Sequence, residues 1–76
     1  MDDPATIESC SASVSETLAE VASRMRFRNV ARAIIYEHDL VVGVLTERDL
    51  TRAAADGADP QATTAREYMT PARRRH

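Results

Sequence analysis

The sequence predicts a small α+β domain of order strand–helix–strand–strand–helix, with a three-stranded sheet that carries both helices on one face. Three observations lead there. Val14, Leu18, Val21, Ala22 and Met25 recur at helical spacing behind Ser13 and Glu16, a Ser-x-x-Glu pair of the kind that caps a helix start. Two β-rich runs, residues 30–37 and 40–45, flank a short polar turn and read as an antiparallel hairpin. The second run stops at Thr46, where Thr46-Glu47-Arg48-Asp49 opens another helix with Thr46 as N-cap and Asp49 three residues on.

Taken in order, residues 1–4 are an acidic lead, and residues 5–8 form a brief strand around Thr6 and Ile7. Residues 9–13 are a polar loop. The first helix runs to Arg26 or Phe27, with Glu16 and Glu20 early and arginines late, the order that the helix dipole favours. Ile34, Ile35 and Tyr36 form the heart of the second strand. In the third, Leu40, Val42 and Val44 point one way and Val41 and Leu45 the other, so the strand is apolar on both faces. The second helix places Leu50, Ala53 and Ala54 on one side, and Gly57 stands where a C′ glycine would end it. Thr64-Ala65-Arg66-Glu67 caps a last short turn over residues 65–69, which Pro71 ends. The domain thus covers residues 5–70, and residues 71–76 form a basic tail.

Composition narrows the function. A chain of 76 residues buries only about 60% of its unfolded surface, and such a core supplies roughly 3–5 kcal/mol of net stability. One cysteine, Cys10, excludes an internal disulfide and favours a reducing setting. Cys10, His38 and His76 stand at no metal-ligand spacing, so no metal is expected. A net charge of −2 argues against nucleic acid as a partner. No run approaches the ~20 apolar residues of a membrane span, and the acidic start is unlike a signal peptide. The expected setting is cytoplasmic. No nucleophile–base–acid set is present, so an enzyme is not expected. The basic residues are all arginine, which excludes lysine Schiff-base chemistry.

The chemistry gathers where the third strand meets the second helix. There Gly43 lacks a side chain, and a hydroxyl, a guanidinium and a carboxylate follow at a helix N-terminus, a place suited to an anion or a sugar. The run Gly43-Val44-Leu45-Thr46-Glu47-Arg48-Asp49 resembles the end of a CBS domain, a repeat that usually occurs in pairs and often binds adenosyl nucleotides. The order of elements is similar, as are Ser13-Val14, Met25, Ala33-Ile34-Ile35 and the closing Tyr68-Met69-Thr70-Pro71. Ala33 stands where relatives often have proline, and His38-Asp39 where they often have glycine. A single repeat is present.

The resemblance implies a regulatory module without a resident cofactor that senses AMP, ADP, ATP or S-adenosylmethionine and acts on an attached or partner protein. It would place Asp49 on the ribose hydroxyls, with Thr46 and Arg48 on phosphate. Adenine would lie between Ile7 and Ile34, with Thr6 offering a polar edge and Gly43 leaving room for close approach. It also implies that two copies pair through their sheets, which would cover the apolar face left open by the helices. The plainer readings are a homodimerisation module with an empty cleft, Thr46 and Asp49 as an N-cap pair alone, and Arg48 with Arg52 as a solvated face.

Overall fold

The structure, a computed structural model, describes residues 9–72. Its elements are β1 (Cys10–Ser13), α1 (Leu18–Arg28), β2 (Arg32–Glu37), β3 (Leu40–Thr46), α2 (Glu47–Ala55), α3 (Ala65–Tyr68) and β4 (Thr70–Pro71). The strands lie in the order β1-β2-β3-β4; β1 runs parallel to β2, and the other pairings are antiparallel. The α+β architecture is as expected, with four strands rather than three. Leu18, Val21 and Met25 of α1, Ala53 of α2 and Ala65 of α3 share one buried cluster with Cys10, Ala12, Ala33, Ile35 and Leu45 of the sheet. The helices therefore cover one sheet face.

The start of the chain differs from the sequence reading. The strand expected over residues 5–8 lies outside the described residues, and the segment read as a polar loop is itself β1. Cys10 and Ala12 point into the core, while Ser11 and Ser13 face out. The alternation is there, but with side chains too small and polar to read as a strand. Because β1 claims Ser13, the helix begins four residues later than expected. Thr17 is its N-cap: Thr17 Oγ1 accepts from the Glu20 N–H (3.2 Å) and Glu20 Oε1 accepts from the Thr17 N–H (3.0 Å). Ser13 and Glu16 instead close a turn, the Ser13 N–H donating to Glu16 Oε2. Arg24 pairs with Glu16 and holds its carboxyl below the usual range. Loop carbonyls satisfy the next α1 amides, Thr63 accepting from Leu18 and Pro60 from Ala19.

The hairpin was legible and its register was not. Ile35 pairs with Gly43 and Tyr36 with Val41, which leaves Val42 as a bulge. Val42 thereby packs against the core instead of sharing a face with Val44. The open face instead carries Ile34, Tyr36, Val41 and Val44, joined by Arg32, Thr46 and Thr70. The turn residues His38 and Asp39 both have positive φ (53° and 67°), as a two-residue hairpin turn matching strand twist requires. Neither is glycine. Asp39→Gly is expected to stabilise the domain by about 0.5–1 kcal/mol, read as a Tm higher by a few degrees; an unchanged or lower Tm would contradict that turn.

The second half follows its local signals. Thr46 caps α2, and Gly57 (φ 78°) ends it, with the Gly57 N–H donating to the Ala54 carbonyl and the Ala58 N–H to that of Ala53. Glu67 accepts from the Thr64 N–H and opens α3. Beyond α3 the chain makes β4, which the sequence reading lacked. Gly43 is what lets it dock. A Cβ there would sit 2.7 Å from Met69 Sδ and 2.8 Å from the Thr70 carbonyl, so the room expected for a ligand is taken by the chain itself.

Candidate functional site

The corner between β3 and α2 is built by a reciprocal cap. Thr46 is extended (φ −113°, ψ 172°), and its Oγ1 accepts from the Asp49 N–H at 3.3 Å. Asp49 Oδ2 accepts in turn from the Thr46 N–H (2.9 Å) and hydroxyl (3.1 Å). A carboxylate near the helix N-terminus also gains from the dipole. The other oxygen, Oδ1, accepts from Arg52 Nη1 at 3.1 Å. The Thr70 hydroxyl lies 3.3 Å from Oδ1 and 3.4 Å from Oδ2. Asp49 is only 2% exposed.

Arg52 does more than neutralise Asp49. Its other nitrogen donates to the Tyr68 carbonyl (3.2 Å), and its guanidinium lies 5.5 Å from the Tyr68 ring centroid. The Tyr68 hydroxyl donates to Asp56 Oδ2 at 2.7 Å, which raises its pKa. Asp49, Arg52, Tyr68 and Asp56 thus tie the two ends of α2 to the end of α3. Arg52 is exposed, as the solvated-face reading has it, and its guanidinium also holds this network together.

The sequence-predicted residues divide into groups. Thr46 and Asp49 are brought together, and Ile34 lies on the open face one register step from Thr46: Ile34 pairs with Val44, and Arg32 with Thr46. Arg48 is exposed on the first turn of α2. Thr6 and Ile7 lie outside the described residues. Three residues at the corner were missed. Arg32 is a cation opposite Thr46 in register, Thr70 is a hydroxyl on Asp49, and Arg52 is the counter-ion of Asp49. The one local signal for any of them was the i,i+3 spacing of Asp49 and Arg52.

Two surface grooves among the described residues lie elsewhere. One of about 760 Å³ runs along the outside of α1 beside Phe27, and one of about 270 Å³ lies between α1 and α2, lined by Met25, Val30 and Leu50. Neither is lined by Thr46 or Asp49. Among the described residues no helix is long and apolar enough to cross a membrane.

Among solved structures, the chain is similar to a cystathionine beta-synthase domain protein fused to a Zn-ribbon-like domain (27% identity, TM-score 0.83, covering 91% of this chain and 100% of that one). It is similar to a CBS domain protein from Pyrobaculum aerophilum complexed with AMP (26% identity, TM-score 0.76, 87% and 52% covered). A hexameric CBS-CP12 protein from bloom-forming cyanobacteria is also similar (25% identity, TM-score 0.73, 86% and 39% covered). The chain thus spans about half of the Pyrobaculum relative and less of the cyanobacterial one. No curated protein matches it. The family model for the CBS domain matches residues 4–56, most of the chain, and the chain belongs to the CBS domain family.

Proposed function

We propose that this chain is a regulatory, non-catalytic module that homodimerises through its open sheet face and senses an adenosyl nucleotide at the β3–α2 corner. AMP in the Pyrobaculum relative carries this reading. In it, Asp49 receives the ribose hydroxyls, Thr46 and Arg48 meet phosphate at the helix N-terminus, and Ile34 contacts adenine together with Ile7 and Thr6. Arg32, opposite Thr46, adds a second cation for the phosphate. Family membership supports the regulatory part.

A thermal-shift series with millimolar AMP, ADP, ATP and S-adenosylmethionine tests it. A ligand at 100 times its Kd adds about 2.7 kcal/mol, a Tm rise of several degrees in a domain of this size. Flat curves with all four would favour the second reading, a structural dimer with no nucleotide. One observation supports that alternative: the Asp49 carboxylate already has protein donors on both oxygens.

The dimer rests on what the helices leave uncovered. Tyr36 and Val41 are 38% and 49% exposed, and Ile34 and Val44 half-buried, on one contiguous sheet face. A second copy would cover this patch about a two-fold axis and supply the other wall of each cleft. Sedimentation should find dimers of the wild type and folded monomers of Val44→Asp. A wild-type monomer at high concentration, or a dimer untouched by the aspartate, would contradict the interface.

A further inference from the structure

The residue that bridges both oxygens of Asp49 comes from the far end of the chain. Thr70 belongs to β4, which pairs with β3 through Val44↔Thr70 and Gly43↔Pro71 and continues to the Ala72 N–H, a donor to the Val42 carbonyl at 2.9 Å. We propose that residues 69–72 are a strap that competes with ligand for Asp49, so that binding requires the strap to leave and strap position reports occupancy. The inference rests on the nucleotide reading of the corner.

The geometry argues it in three steps. A ribose diol binds a carboxylate by bridging its two oxygens, and the Thr70 hydroxyl already holds that bridging position, 3.3 and 3.4 Å from them. With Asp49 2% exposed, no hydroxyl from solvent reaches it until a neighbour moves. The neighbour held most weakly is the strap. The Thr46 cap is made from the corner's own backbone, and Arg52 is fixed by both Asp49 and the Tyr68 carbonyl. Thr70 and Pro71 are exposed, form a strand of two residues, and hold Asp49 through the longest of its contacts.

The strap also has a fixed end. Arg52 and Asp56 pin Tyr68, so β4 would pivot at Met69, an extended residue (φ −64°, ψ 154°). Gly43 marks the contact surface beneath it, since a side chain there would meet Met69 Sδ and the Thr70 carbonyl. An alanine at 43 therefore wedges against the strap without touching Asp49.

Two variants on the full chain test this, Thr70→Val, which removes the hydroxyl and keeps the shape, and Gly43→Ala, which pushes the strap from below. Calorimetric titration with AMP and ATP should show both binding about five- to tenfold tighter than wild type, the worth of one hydrogen bond. In the wild type, nucleotide should speed hydrogen exchange of the Ala72 amide. Equal affinities with unchanged Ala72 exchange overturn the strap alone. Weaker binding by Thr70→Val also overturns it and makes Thr70 a ligand contact. No binding by any of the three proteins overturns the nucleotide reading and the strap with it, and the dimer measurement stands apart from both.

Discussion

Leu45→Ala is expected to abolish cooperative folding. Leu45 is fully buried on the core face of β3, opposite Ala33 and one residue from the cap of α2. Truncating a buried leucine costs about 2–5 kcal/mol, more when the cavity cannot collapse. Here collapse is hindered, because strand and helix meet at the next residue and Thr46 is held by Asp49. A domain this small holds roughly 3–5 kcal/mol in total, so one substitution removes most of it. Circular dichroism should show no sharp thermal transition, at a fixed protein concentration since dimerisation would shift it. A cooperative transition within a few degrees of wild type would mean that the core is centred elsewhere.

Asp49→Ala is expected to have two effects that must be measured apart. It removes the proposed ribose acceptor, and it also removes a structural carboxylate. The cap is worth about 1 kcal/mol and hydrogen bonds to a charged group about 1.5–3 kcal/mol; because these share atoms, a combined loss of about 2–4 kcal/mol is expected. Arg52 remains half exposed and regains water, so the cost falls mainly on the Thr46 amide and the start of α2. Asp49→Asn separates the effects: it keeps an acceptor for the cap and loses the charge. Urea unfolding should rank wild type, Asn and Ala in that order, while both variants lose the nucleotide-induced Tm shift. A shift that survives in Asp49→Asn would sink the ribose assignment, and an alanine variant of wild-type stability would sink the buried network.

Family membership and the α+β order were legible because the run from Gly43 to Asp49 keeps its spacing within one strand-to-helix corner. Thr46 and Asp49 could be paired from sequence since a capping box spans four residues. Helix α1 shows the limit of the same logic. Ser13-x-x-Glu16 and Thr17-x-x-Glu20 are equivalent caps one turn apart on the same face, so periodicity cannot choose between them. The parallel pairing of β1 with β2 chooses, by drawing Cys10 through Ser13 into the sheet.

The amino-acid order by itself determined what neighbours within a few residues decide: the α2 and α3 caps, the glycine stop at Gly57, and the hairpin of β2 and β3. Tertiary structure alone decided which side chains of β3 face the core, since the Val42 bulge exists only against Ile35 and Tyr36. It alone also brought Thr70, 21 residues away in sequence, onto Asp49. The physical reason is range. A cap or a turn is settled by bonds that its own few residues make, whereas register, burial and the placing of β4 over Gly43 are settled by contacts that form only once the sheet and helices have closed on a shared core.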